Sequence, residues 1–268
     1  MKYSFSHNNV RATCKIFYAE SFDALRRKCG VSERFVESLS RCAKWDSKGG
    51  KTKSLFLKTL DDRFVIKSLQ EVELKAFTKF APDYFAFCAQ SLFHGVPSVI
   101  AKMFGLFQVE LRNPSNGIEF SSYLLVMENL FYSRSPTRKF DLKGSMRNRK
   151  IESTGLPDEV LLDENLVETI FEKPLFVREH ARKLLKASVW NDTMWLCRQN
   201  VMDYSLMAGF DDEKKELVVG IIGEFFLFFP CSFSFFVLIS LSIEIPIANI
   251  VIRLYQNLHL GQKTRILD

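Results

Sequence analysis

The sequence predicts an α+β fold whose first part is an antiparallel sheet with flanking helices. Two patterns carry that prediction. Leu55-Phe56-Leu57 and Phe64-Val65-Ile66-Lys67 flank an Asp61-Asp62 turn as a β-hairpin, and apolar residues recur at helical spacing before and after it. Size supplies the third observation. A chain of 268 residues, 47% hydrophobic and 25% charged, suffices for one large domain or two small ones, and excludes a disordered tail or a collagen-like repeat.

In chain order, Phe22, Leu25 and Cys29, then Phe35, Val36 and Leu39, mark two short helices between Phe17 and Arg41. They break at Cys29-Gly30-Val31-Ser32, where Ser32 is placed to cap the second ahead of Glu33. Ser47 to Lys51 is a polar, glycine-bearing turn leading into the hairpin. Val72, Ala76, Phe77 and Phe80 make a helix from Glu71 that should stop before Pro82. Strands are expected at Ile100 to Val109 and Tyr123 to Met127, separated by the Asn113-Pro114-Ser115-Asn116-Gly117 turn. Beyond Asn129 the texture is loop-rich and basic, through Arg134, Arg138, Lys139, Lys143, Arg147, Arg149 and Lys150. Helical spacing returns from Glu164 to Phe171 and from Val177 to Cys197. Two strands then surround the polar turn Asp211 to Lys215, at Val201 to Phe210 and Glu216 to Ile222. The expected division is a first lobe over 12–129 and a second over 130–222.

Lys and Arg total 37 against 31 Asp and Glu, a net charge of +6 that suits a phosphate-bearing partner without deciding one. The six cysteines never form a CxxC pair and no secretory leader precedes them, which argues for a reducing, cytosolic compartment. The four histidines are dispersed and make no metal-ligand spacing.

Several clusters carry chemistry. A Gly49-Gly50 turn between strands, with Lys67 on the second strand and Glu71 or Glu73 on the next helix, is one way to hold a nucleoside triphosphate; an ordinary hairpin with a solvated lysine is the other reading. Gly50-Lys51-Thr52 is not the end of a P-loop, because Trp45 stands where that motif needs glycine. Asp203, in Val201-Met202-Asp203-Tyr204-Ser205-Leu206, is a carboxylate among apolar neighbours and so is either paired or functional. Asp192, in Trp190-Asn191-Asp192-Thr193, raises the same alternatives, with a helix-breaking or capping role as the plainer one. Asp141-Leu142-Lys143-Gly144-Ser145 with Arg149 sets basic groups around a Gly-Ser turn, which is either a phosphate site or a solvated loop.

Together these segments resemble the phosphatidylinositol phosphate kinases, and within them the phosphatidylinositol-3-phosphate 5-kinases of the PIKfyve type. The order carries the resemblance: Ser21 to Cys29, Ser38-Leu39-Ser40-Arg41-Cys42, Lys48-Gly49-Gly50-Lys51, Asp61-Asp62-Arg63-Phe64, Val126-Met127-Glu128-Asn129-Leu130, Asp141 to Ser145, and Val201 to Leu206. It spans roughly residues 12 to 222.

The resemblance implies a two-lobed, protein-kinase-like lipid kinase with an incomplete second lobe, using ATP and Mg2+ to phosphorylate a phosphoinositide at a membrane surface. It implies no nucleic-acid partner. Lys67, oriented by Glu73, would contact the ATP phosphates; Gly49 and Gly50 would belong to the covering loop; and Val126 to Asn129, including Met127, would be the adenine hinge. Asp203 would orient the inositol hydroxyl and accept its proton, with Asp141, Lys143 and Arg149 handling phosphate. The family location is cytoplasmic, peripheral on endosomal or vacuolar membranes.

The resemblance breaks at Gly223, where the family has a magnesium-binding aspartate. The chain holds 26 Phe, and seven of them fall between Phe225 and Phe236. From Phe225 to Ile247 only Glu244 is charged, a run long enough to imitate a membrane span of about 20 residues.

Codon arithmetic offers another origin for this tail. Gly223-Glu224-Phe225 can be written so that an intron start, GTGAGTT, follows its first base. Ile252 to Asp268 can be written so that an intron end falls in Arg253, after which the shifted frame reads Asp-Tyr-Ile-Arg-Ile-Tyr-Thr-Trp-Asp-Lys-Lys-Leu-Glu-Ser-Trp, the family's continuation. The expectation is that 224–268 is a retained intron plus a frameshifted exon, that the functional chain continues past it, and that the chain as written has little activity. The rival readings are a non-catalytic nucleotide- or phosphoinositide-binding fragment, and a single-span membrane protein with a kinase-like domain.

Overall fold

The computed structural model describes residues 1–7, 10–45, 54–115, 117–156, 159–172, 177–201, 203–223 and 251–252. Gly49, Gly50 and most of the apolar tail lie outside these residues.

One sheet is built from β1 (Lys2–His7), β2 (Val10–Phe17), β3 (Cys42–Lys44), β4 (Phe56–Thr59), β5 (Phe64–Leu69), β6 (Met103–Asn113) and β7 (Ile118–Glu128). Its order is β1-β2-β6-β7-β5-β4-β3, and every pairing is antiparallel. In β5, Phe64, Val65, Ile66, Lys67 and Leu69 are all buried, the pattern of a strand covered on both faces. Helices α1 (Ala19–Lys28), α2 (Phe35–Leu39) and α3 (Glu71–His94) supply aromatic side chains to its core. The Phe35 ring meets Phe64 edge-on at 5.3 Å and Phe22 stacks on Phe77 at 6.3 Å, geometries in which each ring's positive edge or offset face meets its neighbour's π-cloud.

The second sheet has the order β12-β11-β10-β8-β9, from β8 (Arg138–Leu142), β9 (Val160–Leu161), β10 (Tyr204–Asp211), β11 (Glu216–Gly223) and β12 (Val251–Ile252). β8, β10 and β11 pair antiparallel, while β9 and β12 join their edges in parallel. Helices α4 (Asp163–Glu172) and α5 (Glu179–Arg198) complete this part.

The parts meet along the connector 96–102, between α3 and β6. Ala101 N–H donates to Ile221 O at 2.9 Å, and Ile221 N–H donates to Val99 O at 2.8 Å. Phe87 stacks on Trp195 of α5 at 4.4 Å. Gly220 of β11 admits Leu130, whose Cδ2 would lie 2.4 Å from any Cβ at that position.

Several expectations are corrected. Helix α3 does not stop before Pro82 but runs on to His94. Proline removes the N–H that would bond the carbonyl of residue 78, and that carbonyl instead accepts the Tyr18 hydroxyl at 3.2 Å. Burial of Phe77, Phe80, Ala81, Tyr84 and Phe87 along one face favours continuing the helix. Ser32 does not cap α2, whose N-cap is Arg34 with no side-chain bond. Asp192 neither breaks nor caps a helix; it lies inside α5 and is fully buried. The sheet begins at Lys2, and β8 crosses the stretch expected to be loop.

Candidate active site

Lys67 projects from a central strand, its Cα paired with Phe56 on one side and Leu125 on the other. Its side chain is only 3% exposed, so the ammonium needs a compensating partner. Glu73 provides it: Oε1 accepts from Lys67 Nζ at 2.9 Å, while Oε2 accepts the Gln70 N–H at 2.7 Å. The second bond belongs to a capping box at the start of α3, with Gln70 as N-cap and Glu73 three residues on. One carboxylate thus fixes both the lysine and the helix. Glu71, the other acid considered for this role, is exposed and pairs with Lys75 at 2.8 Å.

The expected hinge continues β7. Met127 pairs with Val65 and Met103, beside the strand of Lys67. Asn129 ends the strand by donating through Nδ2 to Asp62 O at 2.6 Å, and its N–H bonds Arg63 O at 3.1 Å. Both contacts tie the end of β7 to the β4–β5 turn.

Asp203 precedes β10 in a left-handed backbone conformation, φ 62°, between the buried Val201 and Tyr204. That conformation is uncommon outside glycine, and aspartate is among the side chains that tolerate it best. Its side chain is 49% exposed and bonds the Lys143 ammonium. A carboxylate surrounded by apolar residues in sequence is therefore presented outward and paired with a cation.

The segment 141–149 is organised by an acid that sequence reasoning did not single out. Asp163, buried at the start of α4, accepts the Gly144 N–H at 2.8 Å, the Lys143 N–H at 3.1 Å and the Arg149 guanidinium at 2.8 Å. Arg149 also holds the Asp141 carboxylate at 2.8 Å. Burial disfavours its charge, but the hydrogen bonds to Asp163 and Asp141 outweigh that and raise its pKa. The only hint of Asp163 in the sequence is an acid at a helix start shortly after a basic turn.

The structure therefore brings together Lys67 with Glu73, Lys143 with Asp203, and Asp141 with Arg149. Gly49 and Gly50 fall outside the described residues.

Residue 223 pairs with Tyr204, directly after Asp203. Its φ is +154°, and a Cβ would lie 2.5 Å from Tyr204 Cα and 3.0 Å from Asp203 O, so the backbone as it stands takes glycine alone. Among the described residues no three acidic, histidine or cysteine side chains are grouped to hold a metal ion. The described residues do not fit the magnesium site that the resemblance implies.

Comparison with known sequences decides the family. The profile described as phosphatidylinositol-4-phosphate 5-kinase matches residues 39–218. The 1-phosphatidylinositol 3-phosphate 5-kinase FAB1 of Saccharomyces cerevisiae is 54% identical over 223 residues, 83% of this chain and 10% of its own length. The chain belongs to the phosphatidylinositol phosphate kinase family. FAB1A of Arabidopsis thaliana, named as the same kind of kinase, is 46% identical over 80% of this chain and 12% of its own. The human 1-phosphatidylinositol 3-phosphate 5-kinase is 40% identical over 81% of this chain and 11% of its own. The chain thus spans about a tenth of the length of these curated relatives. Its α+β architecture, with a large antiparallel sheet, is consistent with a lipid-kinase domain of this family. Among the described residues no helix is long and apolar enough to cross a membrane; the segment 225–247 lies outside them.

Proposed function

We propose that residues 12–222 are the ATP-binding and phosphoryl-transfer part of a kinase that phosphorylates the 5-hydroxyl of phosphatidylinositol 3-phosphate, at the cytoplasmic face of endosomal or vacuolar membranes. The observation that carries this reading is the buried Lys67–Glu73 pair on one sheet, with an exposed carboxylate, Asp203, beside Lys143 on the other. Phosphoryl transfer needs a fixed cation at the nucleotide phosphates and a base at the attacking hydroxyl. Lys67 supplies the first, oriented by Glu73. Asp203 supplies the second by accepting the inositol hydroxyl proton. Met127 and Asn129 line the adenine hinge, and Gly49 and Gly50 cover the phosphates.

Lys143 attracts the lipid phosphate to Asp203. Asp141 and Arg149 hold the loop that carries Lys143, Arg149 being occupied by two carboxylates. Residue 223 offers no carboxylate, so the chain as written is a weak catalyst at most. We read 224–268 as a retained intron followed by a frameshifted exon; transcripts joining Ile222 to Asp-Tyr-Ile-Arg are the outcome that supports this, and their absence overturns it.

The test is titration of a labelled ATP analogue into the full chain and into Lys67→Ala. Weak binding by the full chain, reduced further in the variant, is expected; equal affinities overturn the assignment of Lys67.

A further inference from the structure

Asp192 is 0% exposed, in the middle of α5, and has a task that the functional reading above does not use. Its Oδ2 accepts the Val99 N–H at 2.6 Å, and the neighbouring Asn191 Nδ2 donates to Pro97 O at 3.1 Å. Two side chains of one helix therefore grip the backbone of the connector between α3 and β6.

The connector is bonded in two further directions. Val99 O and Ala101 N–H take both backbone groups of Ile221, and the next residues of β11, Ile222 and Gly223, pair with Ser205 and Tyr204, immediately after Asp203. One residue beyond Ala101, Lys102 O accepts the Glu128 N–H at 2.8 Å, and Lys102 N–H donates to Glu128 Oε2 at 3.0 Å. Glu128 lies between Met127 and Asn129 of the hinge. From Asp192 a short chain of hydrogen bonds thus reaches both the nucleotide hinge and the strand pair that Asp203 precedes.

We propose that Asp192 is a positioning residue: by fixing Val99 it sets the connector, and the connector sets the hinge at Glu128 and the β10–β11 end beside Asp203 in one register. This rests on the kinase reading for its functional meaning, though its structural content stands apart from it. A merely apolar core position would not need a carboxylate here. Burying one costs free energy, and among the described residues Asp192 Oδ1 lacks a partner at hydrogen-bond geometry. The acid is retained at a cost, and what it bonds is backbone, at the junction of the two sheets.

The surroundings show how the group is tolerated. Lys102 of the connector and Cys88 of α3 are buried titratable groups coupled to it, and Tyr84 of α3 lines the same small cavity as Cys88, Ser98 and Lys102. Burial pushes the Asp192 carboxyl up to about 7, opposed by the Val99 N–H, Ser98 and the Lys102 charge.

The test is residue-resolved amide hydrogen exchange on the full chain and on Asp192→Ala, Asp192→Ser and Asp192→Asn. Asparagine keeps an acceptor oxygen at the same reach; alanine and serine do not. The expected result is exchange accelerated about tenfold or more at Val99, Ile221 and Glu128 in the alanine and serine variants, near-wild-type exchange in Asp192→Asn, and no change at the β2–β6 pairs such as Cys14 with Val109. Acceleration confined to Val99, equal acceleration in Asp192→Asn, or uniform acceleration throughout the protein overturns the proposal. So does loss of folding in both the alanine and serine variants, which would make Asp192 a general core residue. Binding of the ATP analogue is measured on the same samples. Failure of the wild-type chain to bind it counts against the kinase reading alone, because the exchange pattern is decided without ligand. Where wild type binds, weaker binding in Asp192→Ala with rescue in Asp192→Asn is expected, and unchanged affinity in Asp192→Ala overturns the coupling to the hinge.

Discussion

Glu73 accepts a hydrogen bond from Lys67 Nζ at 2.9 Å through one oxygen and from Gln70 N–H at 2.7 Å through the other. Removing Lys67 takes the buried cation from the Glu73 carboxylate, and breaking a buried pair in this way costs about 3–5 kcal/mol. Lys67→Ala should therefore lower unfolding stability in urea by an amount in that range. Lys67→Met combined with Glu73→Leu should recover much of the loss, short by about 1 kcal/mol for the broken capping box. A double variant no more stable than Lys67→Ala contradicts this account of the pair.

Pro82 gives a second prediction. It is exposed within α3, and an internal proline costs about 3 kcal/mol relative to alanine in a free helix. Pro82→Ala should raise the melting temperature, because the new N–H can bond the Thr78 carbonyl. Tyr18→Phe, which strips that carbonyl of its hydroxyl donor, should cost about 1 kcal/mol in the parent and less in Pro82→Ala. Equal cost in both backgrounds contradicts the compensation.

The same helix shows what the sequence could and could not tell. Its first turns were legible because an amphipathic helix imposes a period on its apolar residues, and the β4–β5 and β10–β11 pairs because short, buried apolar runs flank polar turns. Pro82 misled because its penalty is met by Tyr18, a residue far away in sequence. β1 and β3 were invisible because every residue in them is exposed, and β8 because its two buried residues, Phe140 and Leu142, sit among basic ones. Of the candidate site residues, Lys67, Asp203 and 126–129 were proposed from ordered motifs, whereas Asp163 and the partner of Asp192 depend on which backbone the fold brings to them.

Asp192 also predicts a pH dependence. Its carboxyl, near 3.8 when free, is raised to about 7 in the folded protein, so the folded state holds one more proton than the unfolded state between those values. Its contribution to stability is complete below the lower value and is lost as pH rises through the upper. Between pH 5 and 8 the wild type should lose about 1–3 kcal/mol relative to Asp192→Asn, measured as the difference between their urea unfolding curves. Parallel pH profiles for the two proteins contradict this.

Gly223→Asp should not repair the chain by itself. With φ at +154° and Tyr204 Cα 2.5 Å from the would-be Cβ, the substitution strains the end of β11, at a cost on the order of 1–3 kcal/mol. Calorimetry should show a lower melting temperature than wild type, and phosphoryl transfer should stay near background. Full activity in this variant would contradict the placement of Gly223.

The most direct test of the central claim is radiolabel transfer from ATP to phosphatidylinositol 3-phosphate in mixed vesicles. Three proteins are compared: the written chain, a chain in which the residues after Ile222 are replaced by the family continuation beginning Asp-Tyr-Ile-Arg, and the latter carrying Asp203→Asn. The account predicts turnover in the second, a fall by a factor on the order of 10² to 10⁴ in the third with ATP binding nearly unchanged, and a written chain already at that floor. Full turnover in the Asp203→Asn protein, or in the written chain, would contradict it.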